Sequence, residues 1–242
     1  MTATDFLSAD AAPDGSRPPA VRLLDAMPDL QRAIPWDDRS LAWRTLLVPV
    51  AVVPPGRLEQ ATGEPGARSV VLGGIVFRNT CLRGRVATEI IGEGDVLDTH
   101  EETEPSLVPT TTEHVVHREA TLAFLGERFA AAARRWPGLH DVVGEQLARQ
   151  RRRASAHLAV LQMPRVEDRI VTVFSHFADR WGRVTPDGIV VDLPLTHELI
   201  GQMVGGRRPT VTLALAGLAE SGALARAPDG TWLLAREVVA AR

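Results

Sequence analysis

The chain of 242 residues is 45% hydrophobic and carries a net charge of −3; every one of its 27 basic residues is arginine, and tyrosine is absent. That length suits one large domain or two small ones with a connector, and no apolar run approaches the ~20 residues of a membrane span. A single cysteine, Cys81, excludes an intramolecular disulfide framework and a cysteine-ligated iron–sulfur cluster and fits a reducing cytoplasm. Residues 1–20, rich in Ala, Pro, Asp, Gly and Ser, read as a disordered tail, with no basic region and apolar core of a secretory leader. Val21 to Ile34 reads as a helix, or two broken at Pro28.

From Trp43 to about Glu119, short β-branched runs alternate with Gly and Pro. They include Leu46 to Val53, Ser69 to Leu72, Gly74 to Arg78, Val86 to Ile91 and His114 to His117. Many short strands with frequent turn signals argue for a β-barrel or jelly roll. An acidic stretch with His100 follows at Asp98 to Leu107; it reads as a metal site or, more simply, as an exposed acidic loop. His114 and His117, three apart in a strand, point to opposite faces and are poorly placed to share an ion.

From Glu119 to Met163 the pattern is helical. Ala123 to Arg135 reads as one helix, interrupted at Pro137-Gly138, and Leu139 to Gln162 as a second of roughly 36 Å. Val143, Leu147, Gln150, Ala154, His157 and Leu161 alternate four and three apart along it, the period of a two-stranded seam. The same stripe also fits a helix packed on its own domain. Arg149, Arg151, Arg152 and Arg153 form a phosphate-binding cluster or a solvated face paired with the acidic front half. Charge is uneven: residues 1–133 hold 12 Arg against 19 acids (−7), 134–162 hold 6 against 2 (+4), and 163–242 hold 9 of each (0).

The last eighty residues are the most informative. Asp168 to Trp181 reads as a helix and Gly188 to Leu193 as a strand. Thr196 is placed to cap a helix whose buried face is Leu199, Ile200 and Met203. Gly205 and Gly206 supply the positive φ of a tight turn. A second helix starts near Arg207 with Pro209 in its first turn, where a missing N–H costs nothing. Val211, Leu215 and Leu218 face the core, leaving Arg207, Arg208, Thr210, Thr212 and Leu213 on outer or flanking faces. Ser221-Gly222 stops the helix, and two apolar runs joined by Ala227-Pro-Asp-Gly230 read as a hairpin. A helix-turn-helix followed by such a wing is a DNA-binding layout; two packed helices without a DNA role fit the spacing alone.

Leu195-Thr196, Glu198-Leu-Ile200, Val204-Gly205, Arg208, Thr210-Val211, Leu215, Leu218 and Gly222, with Pro164 to Ile170 upstream, resemble the cyclic-AMP receptor protein / fumarate-nitrate regulator (CRP/FNR) superfamily. The resemblance implies an α+β chain: a β-roll like the cyclic-nucleotide-binding domain with flanking helices over 21–133, a long dimerisation helix over 134–162 and a winged helix-turn-helix over 163–242. It implies Arg208 as a base-reading arginine, Thr196 and Thr210 at phosphates, and His197, Arg207, Pro209, Thr212 and Leu213 on the same DNA-facing surface. Pro209 replaces the Glu of well-known members, and Leu213 stands where a polar base reader is usual. Ile91-Gly-Glu-Gly-Asp-Val96 resembles the glycine-rich turn of the β-roll. The following carboxylates, with no arginine until Arg118, repel a cyclic phosphate, so cyclic AMP is not expected.

The implied partners are double-stranded DNA, a second copy of the chain, RNA polymerase and an unidentified small-molecule effector, with a hinge near Met163 to Val166 and a bacterial cytoplasmic setting. No nucleophile-with-base motif, phosphate-binding glycine loop or Cys/His cluster appears, so neither an enzyme nor a cofactor or metal site is expected. A protein-interaction module that reuses the winged helix stays open: the neutral charge of 163–242 favours it.

Overall fold

The computed structural model describes residues 19–58, 68–98 and 108–237. The chain divides into two compact units, one of residues 1–85 and 89–151, the other of residues 152–242 with 86–88. No described helix is long and apolar enough to cross a membrane.

In the first unit, β1 (Ala20–Arg22) and α1 (Leu23–Ala26) are followed by a 3-10 helix over Pro28–Ala33, a 3-10 turn over Trp36–Asp38 and α2 (Arg39–Thr45). Pro28 does break the helix expected over 21–34, but the segment opens as a strand. Val21 pairs across β2 (Leu47–Val53), and that pairing overrides the local helical pattern. Then come β3 (Gly56–Arg57), β4 (Arg68–Gly73), β5 (Val76–Leu82), β6 (Arg85–Ile91), β7 (Val96–Leu97), β8 (Thr111–Val116) and β9 (Ala120–Leu125). The described strands form two sheets, ordered β1-β2-β9-β4-β7 and β3-β8-β5-β6. Val71, Val76, Ile91, Leu97, Val116 and Leu122 form one core cluster of these strands.

The helix expected from Ala123 begins later than its composition suggests. Ala120–Leu125 is a strand between β2 and β4 with five of its six residues buried. A strand covered on both faces loses its alternation, and Ala-Thr-Leu-Ala-Phe-Leu then imitates a helical run. α3 (Glu127–Arg135) and α4 (Gly138–Leu161) follow; Phe129, Trp136, Leu139 and Val142 pack with Val48 and Val50 of β2.

α4 is 24 residues long. The stripe offered as a dimer seam is largely occupied by the chain itself. Val143 is buried in the first unit's core and Leu147 packs on it. The Gln150 carboxamide is buried, its oxygen accepting from Val96 N at 3.0 Å and its nitrogen donating to Val96 O at 2.9 Å. Ala154 alone of the six is exposed. Of the arginine cluster, Arg149 lies 3.8 Å from Glu145 and 4.0 Å from Asp29, while Arg151 and Arg152 are exposed.

In the second unit, α5 (Val166–Trp181) leads into the hairpin β10 (Gly182–Thr185) and β11 (Gly188–Val191). α6 (His197–Val204), α7 (Arg208–Glu220), β12 (Leu224–Arg226) and β13 (Trp232–Leu234) complete it. Its sheet is ordered β10-β11-β13-β12, with Val191 opposite Trp232. Ile170, Val173 and Phe174 of α5 are buried, as are Val211 and Leu215 of α7 and Trp232 and Leu234 of β13. The Phe174 and Trp232 rings lie 5.0 Å apart. This is a winged helix.

Candidate DNA-binding surface

The helix-turn-helix is built from short-range signals. Thr196 has extended backbone, and its hydroxyl accepts from Leu199 N at 3.2 Å, satisfying one of the free donors at the start of α6. Ile200, Met203 and Val204 turn inward, whereas Leu199, expected on that face, is half-buried. Gly205 adopts the left-handed conformation with φ 66°; Gly206, expected to share it, does not. Gly206 N instead returns to Gly201 O at 2.9 Å. The turn folds back on α6 so closely that a Cβ on Gly201 would sit 2.6 Å from Gly206 O.

Two side chains not assigned this role from sequence hold the turn. Arg169 donates to Met163 O at 2.6 Å and to Val204 O at 3.1 Å, and His157 Nε2 lies 2.6 Å from Met203 O. They satisfy carbonyls that α6 leaves open at its C-terminal end. Arg169 was visible within the resembling stretch, and a cation spaced to reach a helix end was the available signal. His157, grouped with the dimer seam, is engaged within its own unit.

α7 is entered through Arg207, extended and without a side-chain cap, with Pro209 in the first turn. Val211, Ala214, Leu215 and Leu218 are buried, while Arg207, Arg208, Pro209, Thr210, Thr212 and Leu213 are all exposed. Among the described residues no carboxylate lies within ion-pair distance of Arg207 or Arg208. The sequence-predicted surface therefore forms one contiguous start to α7.

His197, half-buried at the first position of α6, joins it through Thr212: Nδ1 and Oγ1 are 2.9 Å apart. The Thr212 hydroxyl proton goes to Arg208 O at 3.0 Å, so His197 Nδ1–H is the donor and Nε2 stays available to an outside group. Beside this surface, the β12–β13 wing is closed by Asp229. The Thr231 amide and hydroxyl donate to its Oδ1 at 2.9 and 2.8 Å, and these bonds hold its carboxyl below the usual 3.8. The turn therefore keeps its charge at every pH near neutrality.

The other candidates lie in the first unit. In the turn at Ile91 to Val96, Gly92 N donates to Asp95 Oδ2 at 3.0 Å and Gly94 N to Val71 O at 2.9 Å, so the turn is tied to β4. Asp98 faces Arg68 at 3.3 Å; the rest of the acidic stretch, with His100, lies outside the described residues, as do residues 1–18 of the tail. His114 is buried and His117 exposed, and no group of three potential metal ligands occurs among the described residues.

Comparison with known proteins agrees with this geometry. The family described as the Crp-like helix-turn-helix domain matches residues 168–239. The CRP-like cAMP-activated global transcriptional regulator of Mycobacterium tuberculosis is 28% identical over 179 residues, covering 70% of this chain and 76% of that protein. Among solved structures, a CRP-family transcriptional regulator from Thermus thermophilus has 26% identity and a TM-score of 0.59 over 79% of this chain and 93% of its own. FixK2 from Bradyrhizobium japonicum has 17% identity and a TM-score of 0.63 over 80% and 96%. Residues 168–239 thus carry a Crp-like helix-turn-helix domain, and the chain over about 70–80% of its length is similar to transcription regulators of the CRP family.

Proposed function

We propose that the protein is a homodimeric, sequence-specific DNA-binding regulator of the cytoplasm that does not respond to cyclic AMP. The observation that carries this reading is the exposed pair Arg207 and Arg208 at the N-terminal end of α7, with no described carboxylate engaging them. That end of a recognition helix enters the major groove, where a guanidinium fork matches guanine O6 and N7. Thr196, Thr210 and the outward Nε2 of His197 serve phosphates, Arg207 flanks the groove, and Pro209, Thr212 and Leu213 face it. The wing rests on the backbone. The first unit serves as scaffold or as sensor of an unidentified small molecule, and RNA polymerase is the further protein partner.

Dimerisation uses the face of α4 that the chain leaves free. Gly144, Ser155 and Leu158 are exposed and Ala148 half-buried along one stripe, with Leu158 64% exposed. A two-fold pair would set the recognition helices about one turn of DNA apart. Leu158→Glu should convert a dimer to a monomer in sedimentation without loss of helicity; a variant that stayed dimeric would move the interface elsewhere.

The function is tested by gel retardation on the promoter of the protein's own gene. A specific band is expected, its affinity falling by about a thousandfold or more between about 50 and 200 mM salt as phosphate counterions are released. Cyclic AMP should leave the band unchanged. The alternative, a winged helix used for protein docking, is favoured by the zero net charge of 163–242; binding indifferent to salt would select it.

A further inference from the structure

We infer that Leu213 is a specificity-determining residue that reads the 5-methyl group of thymine, so that each operator half-site pairs a guanine under Arg208 with a thymine under Leu213. This rests on the DNA-binding reading and goes beyond it by naming a base.

Leu213 is 77% exposed in the second turn of α7, on a unit whose other leucines and valines are mostly buried. Leaving a large apolar side chain in water on a well-packed helix gains nothing for folding. Its neighbour on the same face, Pro209, has no donor, and the next exposed positions along α7, Ala216 and Gly217, carry no polar side chain. Thr212 looks like a hydrogen-bonding reader, but its hydroxyl already donates to Arg208 O and accepts from His197. On α7 itself, the polar side chains free for DNA are therefore Arg208 and Thr210 in the first turn, with Arg207 just before it. Beyond them the helix offers an apolar surface. Two exposed arginines at the leading end make a polyanion the matching partner, and thymine is the base whose major-groove edge carries a methyl group.

The experiment is selection from a random double-stranded library with the full chain, followed by replacement of each thymine in the selected site by deoxyuridine. Removing the methyl at one thymine per half-site should weaken wild-type binding about fourfold. Leu213→Ala should be insensitive to the same replacement, and Leu213→Gln should shift that step toward adenine, whose N6 and N7 a carboxamide can grip. Both substitutions lie on an exposed side chain, and circular dichroism reports that folding is kept. The inference is overturned if uracil is tolerated at every thymine of the selected site. It is overturned equally if Leu213→Ala selects the wild-type site with wild-type affinity. Failure of the wild-type protein to enrich any sequence would overturn the DNA reading itself, and this inference with it.

Discussion

Arg208→Ala is expected to weaken operator binding by about 1–3 kcal/mol, roughly 5- to 150-fold, and to erase the preference at one base pair in each half-site. The magnitude follows from what Arg208 presents: an exposed guanidinium in the first turn of α7, unopposed by a described carboxylate, carried by a helix whose other side is locked by Val211, Ala214 and Leu215. Arg208→Lys separates charge from shape. An ammonium keeps the attraction to phosphates but cannot make two parallel bonds to guanine, so it should retain salt dependence while losing base preference. Retardation on four duplexes differing at that base pair reads both effects. Equal affinity of wild type and Arg208→Ala for a selected operator would reassign the reader to Arg207.

Phe174→Ala should cost about 3–5 kcal/mol of stability in the second unit, the range for deleting a fully buried aromatic ring. Phe174 is wholly buried, with Trp232 at 5.0 Å and Phe177 at 5.7 Å between ring centres. It therefore joins α5 to the wing strand β13, and its loss leaves a void that the rigid hairpin cannot collapse to fill. Hydrogen exchange over α5 and β13, followed in increasing urea, locates the effect. A loss below about 1 kcal/mol would show that the aromatic cluster is not what holds the wing. Phe174→Leu, which fills much of that volume, should recover most of the loss.

Both predictions concern the part of the chain that was most legible as sequence. Thr196, Gly205, Pro209 and Gly222 each have a local conformational reason to stand where they do, so the two helices and their turn could be placed within about a residue. The wing was legible through Pro228-Asp-Gly230. The same triplet at Pro186-Asp-Gly188 joins β10 to β11, and applying it there would have recovered β10, which was missed. What failed was decided by distant contacts. Ala120–Leu125 becomes a strand because β2 and β4 lie on either side of it, which no local pattern encodes. The seven-residue rhythm of Val143, Leu147 and Gln150 was real, but spacing is silent on whether such a stripe meets another chain or its own sheet. Val143 and Gln150 are buried at home. On the DNA-facing surface, residue types were readable and their coupling was not: only the coordinates show Thr212 already engaged by His197 and Arg208 O.

The paired bonds between Gln150 and Val96 have a consequence for solubility. β7 is the last described strand of its sheet, and a strand in that position presents unpaired N–H and C=O groups on which a foreign chain can template. A side-chain carboxamide has the same donor and acceptor as a peptide unit, so Gln150 stands in for one residue of a sixth strand. Supplied by a rigid helix, it blocks that flank against edge-to-edge aggregation at the cost of a single glutamine.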